Sequence, residues 1–206
     1  MKLHLGCGTK KLSGWINIDS VKSCQPDLVH DLSRPLPYAD QSAEAIMANG
    51  VLEHFDKYAR CALVSDWVRV LKVGGTITLE VPDVKKLLSK IRKFKAFDDF
   101  IDTLFGENLW ESEIYIGHFG NHKWGYSQQT LTEFLRNFGL EPLKVETKGL
   151  NICYEGKKAK HIPQEELDLM TIHSHNNKFG APRSTVLLTE AKAKMQEYQE
   201  SQHGQR

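Results

Sequence analysis

The feature that most constrains this chain is its beginning. Lys2-Leu3-His4-Leu5 reads as a short apolar strand that runs straight into Gly6-Cys7-Gly8. Glycines at such a point let the backbone turn sharply and let a ligand approach with no Cβ in the way. A second apolar strand, Trp15-Ile16-Asn17-Ile18, follows and ends on Asp19. An acidic side chain there is well placed to accept hydrogen bonds from both hydroxyls of a ribose. The first part of the chain therefore predicts an α/β fold with a nucleoside-like ligand lying across two parallel strand ends.

Missing features narrow the ligand. Gly6-Cys7-Gly8 is followed by Thr9, Lys10 and Lys11, where a dinucleotide fingerprint would carry a third glycine. Only Thr9 to Gly14 separate the two strands. That is room for about one and a half turns at roughly 3.6 residues each, not for the full helix whose N-terminal amides hold a pyrophosphate. Asp19 also comes sooner than the roughly 20-residue spacing of that fingerprint. S-adenosylmethionine carries a ribose and an adenine but no phosphate. It needs the glycine turn and the ribose acid, not the helix dipole.

Further along, Glu44-Ala-Ile-Met-Ala48 reads as a fourth strand that runs into Asn49-Gly50-Val51-Leu52-Glu53-His54. A helix from about Lys57 to Leu71 carries Ala59, Leu63, Trp67, Val70 and Leu71 on one face, with Asp56 as its N-cap. Gly74-Gly75 ends it, and Thr76 to Val81 is a β-branched fifth strand before Pro82-Asp83. With these pieces in order, residues 3–83 resemble the class I S-adenosylmethionine-dependent methyltransferases, in particular the short bacterial, methyltransferase type 11-like members. Residues 122–147 resemble them more loosely. The matching motifs are Leu3-His-Leu-Gly-Cys-Gly8, Val51-Leu-Glu-His54 and Leu71-Lys-Val-Gly-Gly75.

The resemblance implies a doubly wound, Rossmann-like seven-stranded sheet of order 3-2-1-4-5-7-6 with an antiparallel last strand and a curtailed first helix. It implies S-adenosylmethionine as cofactor, held by Leu5, Gly6, Cys7, Gly8, Asp19, Asn49 and Gly50. Asp31, closing a third strand over Asp27–His30, would face the adenine amino group, with Leu32 alongside the ring. The alternative for Asp31 is a turn-starting residue before Arg34-Pro-Leu-Pro37. Cys7 either touches the cofactor or is a small residue that fits the turn. One departure is plain: His4 stands where the family usually carries an acid near the methionine ammonium.

The chain has 206 residues, 40% hydrophobic and 26% charged, with a net charge of +1. That suits an ordinary globular α/β domain, argues against a nucleic-acid partner, and includes no apolar run long enough for a membrane span. Four scattered cysteines read as reduced thiols in a cytoplasmic protein.

Residues 84–109 read as a basic helical piece (Lys85, Lys86, Lys90, Arg92, Lys93, Lys95) followed by an acidic and apolar one. The basic face is either a solvated surface or an approach for an acidic substrate. Residues 110–126 crowd aromatics, histidines and glycines without a period, as substrate loops do. His122, His118, Tyr115 and His54 are the candidates to face the methyl acceptor. A histidine there can take a proton from an incoming hydroxyl or simply be a hydrogen-bonded loop residue. His118 and His122 share the i, i+4 spacing of a helical metal pair, but the glycines between and around them argue against a helix, and no metal is expected.

Ser127 should cap a helix over 128–138, with Gly139 as its stop and a sixth strand over 140–147. The layout expected is a single domain over 1–206, with 148–182 as an insertion, Ser184–Thr189 as the antiparallel seventh strand and 191–206 as a polar tail. The expected reaction is in-line methyl transfer to a small-molecule or carbohydrate acceptor, at a hydroxyl. A catalytically silent cofactor-binding scaffold of the same fold is the alternative, kept open by His4. A nicotinamide oxidoreductase is disfavoured by the short first crossover.

Overall fold

The computed structural model describes residues 1–93, 97–106 and 120–176, without the side chains of 171–176. Its sheet has seven strands in the order β3-β2-β1-β4-β5-β7-β6. The first five are β1 (Lys2–Leu5), β2 (Ile16–Asp19), β3 (Leu28–Val29), β4 (Ala43–Asn49) and β5 (Leu71–Pro82), all parallel to one another. β6 (Leu140–Lys148) and β7 (Asn151–Lys158) form an antiparallel hairpin, and β7 runs antiparallel to β5. This is the doubly wound order expected from the motifs. Parallel strands place their carboxyl ends on one side, so Leu5, Asp19, Asn49 and Pro82 end along one edge of the sheet.

Helix α1 (Ala59–Val70) packs on β5 and on α5 (Gln164–Asn176), and α4 (Gln128–Asn137) packs on β6. Two shorter helices, α2 (Val84–Ser89) and α3 (Phe97–Phe105), follow β5. The Asp56 carboxylate accepts from the amides of Tyr58 and Ala59 at 2.8 and 2.9 Å, the cap read from the sequence. Ser127 and Thr130 close a reciprocal capping box at the start of α4. Trp67, Val64 and Val68 of α1 are fully buried with Leu3, Leu5, Ile46, Ile77 and Leu79 of the central strands. No helix among the described residues is long and apolar enough to cross a membrane.

Two expectations are corrected. The short first crossover holds turns and no helix: Thr9 to Gly14 form only tight bends between β1 and β2. The seventh strand is Asn151–Lys158, within the stretch expected to be an insertion, and the segment 184–189 lies outside the described residues. The hairpin is closed by Gly149-Leu150, with Gly149 at φ +57°. A glycine leading a two-residue turn matches the twist of the paired strands. Along β7, Ile152, Tyr154, Gly156 and Lys158 are buried in strict alternation. The Gly and Lys of that series disguise the pattern in sequence.

Lys158 belongs inside for a specific reason. Its Nζ donates to the carbonyls of Val68 and Leu71 at 2.6 and 2.8 Å, at the C-terminal end of α1. Helix ends leave such carbonyls without intrahelical partners, and a cation suits that end of the dipole. Burial pushes the Lys158 pKa down. Lys158→Met, which fills the space but donates nothing, is expected to cost about 2 kcal/mol, because two buried acceptors lose their donor. A lowered denaturant midpoint with unchanged slope is the measurement that checks it.

Candidate functional site

The glycine turn at the end of β1 is built for close approach. Gly6 and Gly8 sit at φ +63° and +50°, where L side chains are strained. A Cβ on Gly6 would run into the side chain of Val51, whereas one on Gly8 would meet nothing within 4 Å. The turn is tight beneath and open above. The Gly8 amide donates to Asp19 Oδ2 at 2.7 Å, and Asp19 Oδ1 accepts from the Val21 amide at 2.9 Å. Asp19 thus ties the end of β2 to the glycine turn. Each carboxylate oxygen accepts more than one bond, so it keeps capacity for a ligand.

Beside the turn lies a cavity of about 660 Å³ at the carboxyl ends of the strands. Gly6, Cys7, Asn49, Gly50, His54 and His122 line it. Asp19, Gly8, Asp31, Leu32 and Leu5 are not among its lining residues. Leu5 is fully buried in the core and Leu32 packs against it. Asp31 accepts from the Ser33 amide at 2.9 Å, the turn-starting arrangement, and that bond holds its carboxyl below the usual range. Cys7 is a neutral thiol: burial first, then the nearby Asp19 charge, pushes its pKa up to about 11. Tyr115 and His118 lie outside the described residues.

His4 lines the same cavity and is almost fully buried. Its Nδ1 meets Asn17 Oδ1 at 3.1 Å. The Asn17 amide nitrogen donates to the Leu12 and Trp15 carbonyls and to Asp27, which fixes the amide orientation. The Asn17 oxygen can only accept, so His4 Nδ1 donates to it.

The far end of the cavity joins two distant segments. His54 ends a 3₁₀ turn over Leu52–His54, directly after β4. His122 arrives from the segment before α4, which is sewn onto that turn: the amides of Lys123 and Trp124 donate to the Glu53 carbonyl at 2.7 and 3.1 Å. The two imidazole centroids stand 5.0 Å apart. His54 Nδ1 faces the Asn121 carbonyl and His122 Nδ1 the Leu104 carbonyl, each at 3.2 Å. Carbonyls accept, so both protons are committed at Nδ1. Desolvation holds both histidines below their ordinary pKa, outweighing the carbonyls that pull the other way.

Sequence reasoning undervalued three residues here. Glu53 stands in the Val51–His54 motif without a site role in the sequence reading, yet its side chain is buried in the cavity wall, and its Oε2 has no hydrogen-bond partner among the described residues. Desolvation, with a smaller push from Glu80, raises its pKa to about 8. Glu80 and Asn151 also line the cavity, joined by a 2.7 Å hydrogen bond between β5 and β7. Glu80 could have been found: it alternates with buried Leu79 and Val81 at the carboxyl end of a parallel strand. Asn151 could not, because its strand was not recognised.

Residues 16–79 match the family model described as a methyltransferase domain. Together with the strand order, that match supports a Rossmann-like methyltransferase fold. No curated protein matches this chain in sequence. Its fold is similar to a SAM-dependent methyltransferase from Methanosarcina mazei, at 19% identity and a TM-score of 0.57, covering 78% of this chain and 92% of that one. It is also similar to an S-adenosylmethionine-dependent methyltransferase from Clostridium acetobutylicum, at 15% identity and a TM-score of 0.53, covering 77% and 84%. A third similar structure is the Burkholderia thailandensis 1,6-didemethyltoxoflavin-N1-methyltransferase with bound 1,6-didemethyltoxoflavin and S-adenosylhomocysteine. There the identity is 13%, the TM-score 0.52 and the coverage 77% and 71%.

Proposed function

We propose that this protein transfers the methyl group of S-adenosylmethionine to a hydroxyl of a small molecule, a carbohydrate or similar metabolite. The observation that carries the reading is the Gly8 to Asp19 hydrogen bond of 2.7 Å at the mouth of the glycine turn, beside a cavity that ends on two imidazole edges. The open face of Gly8 gives room for an adenosyl group, and Asp19 offers acceptors to its ribose diol. In its neutral form His4 can accept from the methionine ammonium through Nε2, the part an acid plays at this position in the family. Glu80 adds negative charge to the same wall.

When bound, S-adenosylmethionine supplies an electrophilic methyl carbon on a sulfonium. The protein's share is alignment, which can be worth roughly 7–11 kcal/mol when reactants are held in a near-attack pose. His54 and His122 present Nε2 acceptors at the end of the cavity that would meet the acceptor, and a hydroxyl donates to such atoms. A cavity of about 660 Å³ suits a small molecule better than a polymer. The Burkholderia thailandensis neighbour has a small molecule bound beside S-adenosylhomocysteine, which supports the same class of acceptor here. The four cysteines are all free thiols, in keeping with a cytoplasmic protein.

The test is calorimetric titration of the full chain with S-adenosylmethionine and, separately, with NAD. Binding of the first and none of the second is expected. A panel of sugar and small hydroxyl-bearing acceptors, read by release of S-adenosylhomocysteine, then tests transfer. Tight cofactor binding with no release across the panel would favour the silent scaffold.

A further inference from the structure

We propose that Glu53, His54 and His122 form a binding site for a zinc-type divalent cation, with an open coordination position facing the cavity. Carboxylate oxygen and imidazole nitrogen atoms of these three residues all lie within 4.8 Å of one another. Tetrahedral ligands of one zinc ion, each at about 2.0–2.2 Å from the metal, stand about 3.3–3.6 Å apart. From the 4.8 Å bound, a cation has to draw these side chains together by at most roughly 1–1.5 Å.

Three observations point the set at a metal. Glu53 Oε2 is buried without a hydrogen-bond partner among the described residues, in a residue only 3% exposed. A buried carboxylate oxygen left in that state is costly and calls for an explanation. Next, the Nδ1 atoms of His54 and His122 are both held by backbone carbonyls. That is the outer-shell arrangement that orients a metal-binding histidine and fixes its tautomer. Finally, the donor set is two nitrogens and one carboxylate. It suits zinc or iron(II) far better than calcium or magnesium, which prefer oxygen ligands throughout.

Three protein ligands leave a fourth position free, and here the free side is the acceptor end of the cavity. With the ion bound, the acceptor hydroxyl oxygen would coordinate there, in place of a direct hydrogen bond to the two imidazoles, and its proton would pass to solvent. This part deepens the methyl-transfer reading and rests on it; the metal site itself does not. The i, i+4 pair His118/His122 considered in the sequence is not the pair involved. The partner of His122 is His54, 68 positions away and carried by another element.

The experiment uses the full chain, stripped with a chelator and dialysed against Zn²⁺ or Co²⁺. One equivalent of metal per chain is expected, with visible d–d bands for Co²⁺, no thiolate-to-cobalt charge-transfer band and no competition from Mg²⁺. Glu53→Gln and His122→Gln should each weaken Zn²⁺ binding about 100-fold with unchanged circular dichroism. Substoichiometric binding, binding indifferent to both variants, a charge-transfer band from Cys7, or equal competition by Mg²⁺ would each overturn the site. Titration of the metal-free protein with S-adenosylhomocysteine reports on the cofactor reading separately.

Discussion

Asp19→Ala is expected to weaken S-adenosylhomocysteine binding by about 10- to 100-fold, measured by calorimetry. Hydrogen bonds to a charged group are worth about 1.5–3 kcal/mol each, and every 1.4 kcal/mol is a factor of ten in affinity. The ribose diol would lose its acceptors, and the glycine turn would lose the bond from Gly8 that holds it against β2. Both losses act on the same ligand. Asp19→Asn separates them: the amide oxygen can still take the Gly8 proton while one oxygen and the charge are gone. An intermediate loss, near tenfold, is the expected result. Cofactor affinity within twofold of the wild type for Asp19→Ala would mean that the ribose lies elsewhere.

The Asp19 assignment came from the sequence because every signal for it is local. A short strand, two glycines at positive φ, and an acid ending the next strand occupy residues 2–19. The caps at Asp56 and Ser127 were legible for the same reason: a capping residue and its amides are two or three positions apart. β7 was not legible. Its inward series ends in Gly156 and Lys158, residues that read as loop, and only the carbonyls of a distant helix end explain a buried lysine. The meeting of Glu53, His54 and His122 was out of reach too. It depends on two backbone hydrogen bonds from Lys123 and Trp124 to Glu53, which link segments some 70 residues apart and leave no trace in either one.

The loop carrying His122 is held down by a buried arginine, and Arg60→Ala is expected to be strongly destabilising. Arg60 lies on α1, is only 6% exposed, and its guanidinium carbon stands 4.3 Å from the Phe134 ring centroid, 4.4 Å from Trp124 and 5.6 Å from Tyr126. The cation thus joins α1, α4 and the segment before α4 through their aromatic faces. A desolvated cation–π contact is worth about 2 kcal/mol, and truncating a long buried side chain to alanine adds the cost of the cavity left behind. A total near 3–4 kcal/mol is expected, which for a chain of this size lowers Tm by about 6–16 °C. Arg60→Met keeps most of the volume and loses the charge, so it should recover roughly half of that. Arg60→Lys keeps the charge but not the plane that stacks on rings, and should fall between the two. Faster hydrogen exchange at the Lys123 and Trp124 amides in Arg60→Ala is the site-specific readout, because those amides hold His122 beside His54. If Arg60→Met were as unstable as Arg60→Ala, packing alone would fail to explain the loss. If Arg60→Met matched the wild type, the rings would be gripping the arginine stem and not its charge.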